Sequence, residues 1–212
     1  MKAVVLAGGE ATRMQPVAKW LPKCLLPVNG IPFLVRSLKK ISNVVDDIIV
    51  VTEKDKSKAI LYQLNVAGID ATVLTTEHII SQRDKILLAT TEDKERFLLL
   101  FADSFCDADI RNAMKIDADA VIFVCKKLPV EYGVVKIENN QVVSFSEKKY
   151  VEVPFWTGIG IFRRRLFTKY PFPEVSQVLE HAAKKEKIVA VECQDFYDVG
   201  SISAYKRTLE EI

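Results

Sequence analysis

The chain has 212 residues, 49% hydrophobic and 27% charged, with a formal net charge of +2. These are ordinary values for a globular protein with a full core, in one large α/β domain or two small ones. So small a net charge does not by itself point to a nucleic-acid partner, and no apolar stretch approaches the roughly 20 residues needed to span a bilayer, so neither nucleic acid nor membrane is an expected partner.

The apolar run Ala3–Ala7 is too short for a signal-peptide core and leads straight into a glycine turn. It reads as a strand, in a protein expected in the cytoplasm. Asp47–Thr52, Ala71–Leu74, Phe97–Phe101, Ala120–Cys125 and Ile188–Val191 are similar runs rich in Val, Ile, Leu and Phe, the pattern of strands buried on both faces. Helical spacing fills the intervals at Phe33–Ile41, Lys56–Val66, Arg83–Ala89 and Val175–Lys184. Such alternation predicts a mostly parallel sheet wrapped by helices. Near Leu128 the rhythm changes. Tyr132–Ile137 and Gln141–Phe145 alternate around Glu138-Asn139-Asn140 and predict a β-hairpin, Pro154–Phe162 is another extended stretch, and antiparallel strands are expected to lie over the sheet. Ile202–Ile212 reads as a closing helix capped by Ser201 or Ser203. No repeat or linker interrupts the chain, so a single domain over 1–212 is expected, with a homo-oligomer left open. Cys24, Cys106, Cys125 and Cys193 are widely spaced without a CxxC and read as buried free thiols of a reducing compartment.

The strongest local signal is Leu6–Val28, LAGGEATRMQPVAKWLPKCLLPV. A strand runs into Gly8-Gly9, where the backbone can approach a ligand and successive N–H groups can cradle phosphate oxygens. There is no Gly-Lys-Ser/Thr of a Walker A loop and no third glycine of a dinucleotide fingerprint. Arg13 and Lys23 follow instead, a bidentate guanidinium and a point charge suited to phosphates. A tight turn with solvated basic residues is the plainer alternative. Further on, FLLLFADS ends a buried strand in Asp103, and FYDVG carries Asp198. Taken alone, each is as well read as a turn or cap aspartate.

Together these stretches resemble the signature of the sugar-phosphate nucleotidyltransferases, the nucleoside-diphosphate-sugar pyrophosphorylases. In that family LAGGxGTRL-x-P is followed by PK-x-L-x-P. Leu6-Ala7-Gly8-Gly9, Thr12-Arg13, Pro16, Pro22-Lys23, Leu26-Pro27-Val28 and Pro32 match without insertion, and the likeness runs to about Tyr205. It implies a GT-A-like fold, α/β with a Rossmann-like mostly parallel sheet flanked by helices and an inserted antiparallel β-hairpin on the sugar side. It implies an enzyme that transfers a nucleoside monophosphate from a nucleoside triphosphate to a sugar 1-phosphate. The nucleotide would lie on Leu6, Ala7, Gly8 and Gly9, and Mg²⁺ on Asp103 and Asp198. Arg13, Lys23 and Asp103 would be catalytic. EYGVV, FSEK and WTGIGIF would form the sugar-phosphate side through Gly133, Glu147, Lys148, Thr157 and Gly158.

The pattern fails in two places. Ala11 holds the second glycine position of the loop, at a cost of about 1 kcal/mol if the backbone there takes a positive φ. Ile79–Ile86, IISQRDKI, replaces a run of small residues that approaches the nucleobase, and Gln82 is its one candidate for a base edge. His78 and His181 match no catalytic position. Two rivals remain: a cytidylyltransferase acting on phosphocholine or inositol phosphate, for which Trp156 is a candidate to box the choline (although Trp20 and Trp156 also suit simple packing), and a non-catalytic regulatory subunit of the same fold.

Overall fold

The computed structural model describes residues 1–92, 95–147 and 150–212. In chain order the elements are β1 (Lys2–Leu6), β2 (Pro27–Val28), β3 (Ile31–Pro32), α1 (Phe33–Ile41), β4 (Asp47–Glu53), α2 (Lys54–Val66), β5 (Thr72–Thr76), α3 (Gln82–Ala89), β6 (Arg96–Phe101), β7 (Ser104–Cys106) and α4 (Ile110–Ala113). They continue as β8 (Ala120–Pro129), β9 (Val134–Glu138), β10 (Gln141–Ser146), β11 (Tyr150–Arg163), α5 (Arg165–Lys169), α6 (Val175–Ala182), β12 (Ile188–Glu192), β13 (Phe196–Asp198) and α7 (Ile202–Glu211).

Seven strands form the central sheet in the order β12-β8-β11-β6-β1-β4-β5. β1 runs parallel to β4 and β6, β4 to β5, and β8 to β12. The continuous apolar runs follow from burial on both faces. Along β1 and just past its end, Ala3, Val5 and Ala7 join the core cluster that holds Leu34, Leu38, Ile60 and Leu64, while Val4 and Leu6 join the opposite cluster with Phe97, Phe162, Phe167 and Val178. Successive strand side chains point to opposite faces, so each needs its own apolar layer.

One expectation is corrected. β11 does not lie over the sheet. It is inserted within it, antiparallel to β6 on one side and β8 on the other. The physical reason is its length: the strand carries Ile159, Ile161 and Phe162 fully into the core, where only a central position covers both faces. The hairpin β9–β10 is a separate two-stranded sheet. It turns through Asn139 and Asn140, both at positive φ (49° and 64°), as a two-residue turn matching strand twist requires.

The four cysteines are free and buried. Ser201 caps α7 by accepting the Ala204 N–H. No helix among the described residues is long and apolar enough to cross a membrane.

Ala11 does take the left-handed conformation, φ 52° and ψ 35°. Ala11→Gly is therefore expected to stabilise the protein by about 0.5–1 kcal/mol, because relief of the Cβ strain exceeds the added freedom of the unfolded chain. A denaturant-unfolding midpoint that stays put or falls would show that the loop holds alanine without strain.

Candidate active site

Three parallel strands deliver the candidate residues to one end of the sheet. β1 runs out into Gly8-Gly9, β4 ends in Glu53, and β6 is followed by Ala102 and Asp103. Ligands of open α/β sheets collect at such carboxyl ends. The side chains of Leu6 and Ala7 are buried, 8% exposed each. Ala7 N–H donates to the Val51 carbonyl, and the Leu6 carbonyl accepts from Ala102 N–H. Both residues thus anchor the loop, and Gly8 and Gly9 form its partly exposed end.

Asp198 arrives from the far end of the chain. β13 pairs antiparallel with β7, setting Asp198 opposite Ser104, and Val199 N–H donates to the Asp103 carbonyl at 2.9 Å. Gly200 marks where the groups meet. A Cβ built on it would lie 3.1 Å from Asp198 Oδ2, 3.4 Å from Asp103 Oδ2 and 3.6 Å from Arg13 Nη2. Lys23 Nζ donates to Asp103 Oδ2 at 2.5 Å. Four of the five charged residues singled out in the sequence therefore surround one point, although they are spread over most of the chain. The fifth, Lys148, lies outside the described residues. Burial pushes the Asp198 carboxyl above its usual range and the nearby Asp103 adds to this, against Arg207, the Gly200 N–H and Arg13, which pull it down.

Arg207 is one of the residues that sequence reasoning missed. It projects from α7, pairs with Asp198 Oδ1 at 3.2 Å, and also walls a cavity of about 340 Å³ with Glu131, Tyr132 and Gly133. The helical period of α7 held the only signal: Ala204 and Thr208 face inward, and Arg207 flanks that stripe. α7 is fixed by Tyr205, whose hydroxyl donates to the Pro27 carbonyl, and by Thr208, whose hydroxyl donates to the Asp198 carbonyl.

The second side of the site departs from expectation. Gln82 is no free base-edge group. It starts α3, and its side-chain carbonyl accepts the Val175 N–H at 3.0 Å, tying α3 to α6. Ser81 caps α3 by accepting the Asp84 N–H, which makes the altered segment a helix start. That helix brings in Lys85, which sequence reading did not single out as a site residue. Lys85 and Glu53 are each 4% exposed and form an ion pair at 2.7 Å. Burial alone would raise the Glu53 pKa, but hydrogen bonds from Lys56, Lys85 and the Gly9 N–H outweigh it and hold the carboxyl at about 2. Its contribution to stability is thus complete above the ordinary carboxylate range and is lost only as pH falls toward about 2.

On the expected sugar side, Thr157 is corrected. It is 2% exposed and its hydroxyl donates to the Phe123 carbonyl at 3.0 Å, so the side chain is spent inside the sheet. Gly133 lies under the exposed Phe145 ring, which is 2.5 Å from where a Cβ on the glycine would stand. Gly158 follows Thr157 at φ +81°, and Glu147 is exposed. Trp156 is engaged in packing, edge-on to Phe101 and Phe162, and donates its indole N–H to the Ile159 carbonyl. Trp20, in contrast to the packing expectation, is 86% exposed. It borders a cavity of about 300 Å³ shared with Gly8, Gly9, Lys19, Lys23 and Lys56. His181 stacks on Phe172 and its Nδ1 lies against the Gln177 carbonyl, while His78 is exposed.

A glycine loop after the first strand, with two carboxylates and two cations gathered at the strand ends of a mostly parallel sheet, sets out a candidate anion site in an α/β protein. Residues 2–212 match the nucleotidyl transferase family, and the chain belongs to it. Among curated relatives, the bifunctional protein GlmU of Methanocaldococcus jannaschii is 23% identical over 100% of this chain, which spans 55% of that protein's length. The D-glycero-alpha-D-manno-heptose 1-phosphate guanylyltransferase of Campylobacter jejuni is 25% identical over 94% of this chain and 95% of its own. Among solved structures, the inositol-1-phosphate CTP transferase of T. maritima has a TM-score of 0.72 at 18% identity, over 99% of this chain and 95% of the other, which shows a shared fold.

Proposed function

We propose that this protein transfers a nucleoside monophosphate from a nucleoside triphosphate to a sugar 1-phosphate, forming an NDP-sugar and releasing pyrophosphate, in a Mg²⁺-dependent reaction in the cytoplasm. The observation that carries this reading is the meeting of Asp103, Asp198 and Arg13 around one point beside the glycine loop, with Lys23 on Asp103. The Campylobacter jejuni relative supports a sugar 1-phosphate acceptor. The four free, buried thiols suit a reducing compartment.

Asp103 and Asp198 fit Mg²⁺. They bring two hard oxygen donors to one point, the number Mg²⁺ takes when phosphates and waters complete its shell, and the unfavourable burial of facing carboxylates is what a divalent cation relieves. Bound there, Mg²⁺ would neutralise and orient phosphate oxygens. The remaining work falls to the protein's own side chains. Phosphoryl transfer needs positioning and charge stabilisation more than covalent help. Arg13 neutralises charge growing on the pyrophosphate. Lys23, oriented by Asp103, supplies a point charge to the phosphoryl group under attack. Lys148 grips the phosphate of the acceptor and Glu147 accepts from sugar hydroxyls. No general base is needed, because a phosphomonoester is already ionised near pH 7.

Arg207 orients Asp198. Arg207→Met is expected to lower kcat/KM by about 10–100-fold, the usual effect of removing a partner of a ligand carboxylate, with partial recovery in Arg207→Lys. Full activity in the methionine variant would leave Arg207 a purely structural residue.

The reading is tested by measuring pyrophosphate release from ATP, CTP, GTP, UTP and dTTP, each with Mg²⁺, against sugar 1-phosphates, inositol 1-phosphate and phosphocholine. Turnover with a sugar 1-phosphate is expected. Turnover with phosphocholine or inositol phosphate alone would change the acceptor, and silence across the panel from a folded protein would leave a non-catalytic subunit.

A further inference from the structure

The peptide of Gly9 is gripped from both sides by charge. Its N–H donates to Glu53 Oε2 at 3.0 Å, and its carbonyl accepts from Lys56 Nζ at 2.7 Å. Lys56 also donates to Glu53 Oε2 at 2.7 Å, and Lys85 takes the other oxygen, Oε1, at 2.7 Å. The three residues come from the end of β4, the first turn of α2 and α3, so elements on both faces of the sheet converge under the loop. The space beside Gly8 is filled by the same cluster: a Cβ there would lie 2.1 Å from Glu53 Oε1 and 2.4 Å from Lys85 Nζ. Gly9 itself sits at φ +119° with open space where a Cβ would stand, a conformation that a free glycine peptide would leave readily.

We propose that Glu53, Lys56 and Lys85 form a positioning clamp that holds the Gly8-Gly9 loop in the conformation that receives the triphosphate. The proposal rests on the nucleotidyltransferase reading and extends it to residues that touch the loop and not the reacting phosphorus. One carboxylate against two ammonium groups leaves the cluster positive beside an anionic ligand. Glu53 is the group that orders the loop and Lys85 the group that makes burial of Glu53 tolerable, because an unpaired buried carboxylate is strongly unfavourable. Lys56, about one-fifth exposed, can be removed while the buried Glu53–Lys85 pair is kept.

Two measurements on the full chain test this. The first is amide hydrogen exchange at Gly9 without ligand, in the wild type, Glu53→Gln and Lys56→Met. The second is the Kd of each of ATP, CTP, GTP, UTP and dTTP with Mg²⁺, by calorimetry on the same proteins, with thermal unfolding as the check on folding. The wild-type Gly9 amide is expected to be protected and to lose at least about tenfold of that protection in Glu53→Gln, in step with an at least tenfold weaker Kd for the best-bound triphosphate. Lys56→Met is expected to shift both in the same direction at nearly unchanged unfolding temperature, which separates positioning from general stability. If Glu53→Gln does not fold, Lys56→Met alone decides. Unchanged Kd in a folded variant overturns the clamp. A tighter Kd overturns it too, since Glu53 would then be competing with phosphate for the Gly9 N–H. If the wild type binds none of the five triphosphates, the nucleotidyltransferase reading fails first and takes the clamp with it, an outcome distinct from binding that the variants leave intact.

Discussion

Asp103→Ala is expected to lower kcat/KM for pyrophosphate release by at least about 10³-fold, equivalent to about 4 kcal/mol of transition-state stabilisation. The substitution removes one of the two carboxylates that meet beside Gly200. It also leaves Lys23 without the partner that orients it. The two losses act on the same step, so the effect exceeds what either alone would bring. The fold is expected to survive, because the Asp103 side chain is 15% exposed and its backbone carbonyl still accepts the Val199 N–H. A variant that unfolds cooperatively at a near wild-type temperature and retains full turnover would take Asp103 out of the chemistry.

Gly200→Ala tests the same point by filling it. Gly200 is absent from the residues at positive φ, so alanine can adopt its backbone without strain. Its new methyl would stand 3.1 Å from Asp198 Oδ2, closer than carbon normally approaches oxygen, and 3.4 Å from Asp103 Oδ2, at van der Waals contact. The two carboxylates must then move apart or lose their shared space. Turnover is expected to fall by about 10²-fold, because the methyl occupies the space the two carboxylates share at a positioned reaction centre, while unfolding free energy changes by only about 1 kcal/mol. Steady-state kinetics and a denaturant titration on one preparation separate the two effects. A large loss of stability with undiminished turnover in the folded fraction would mean that the gap beside Gly200 serves packing only.

Much of the sheet was legible because burial on both faces leaves a local trace. Phe97–Phe101 and Ala120–Cys125 read as strands for the same reason that their side chains now divide between two core clusters. The glycine loop, Arg13, Lys23, Asp103 and Asp198 were legible as motifs. Glu53 and Lys85 were not, because an ion pair between residues 32 apart in the chain has no local pattern. Each looks like an ordinary surface charge until β4 and α3 bring the two together. Thr157 erred in the opposite direction. Its motif suggested an exposed pocket residue, yet it lies where the pairing of β11 with β8 shifts register, and its hydroxyl donates to the Phe123 carbonyl.

By itself the amino-acid order determined the main strands and helices of the sheet and its covering layers, that a glycine turn follows the first strand, and which charged side chains are candidates for phosphate chemistry, because each of these rests on hydrophobic period, glycine geometry or residue type close by in the chain. Only the tertiary structure decided that β11 enters the sheet antiparallel between β6 and β8, that Asp198, Asp103 and Arg13 face one another across Gly200, and that buried ions under Gly9 hold the loop. Those are contacts between distant residues, set by how strands pair and helices pack once the apolar faces are buried, and no local window of sequence contains them.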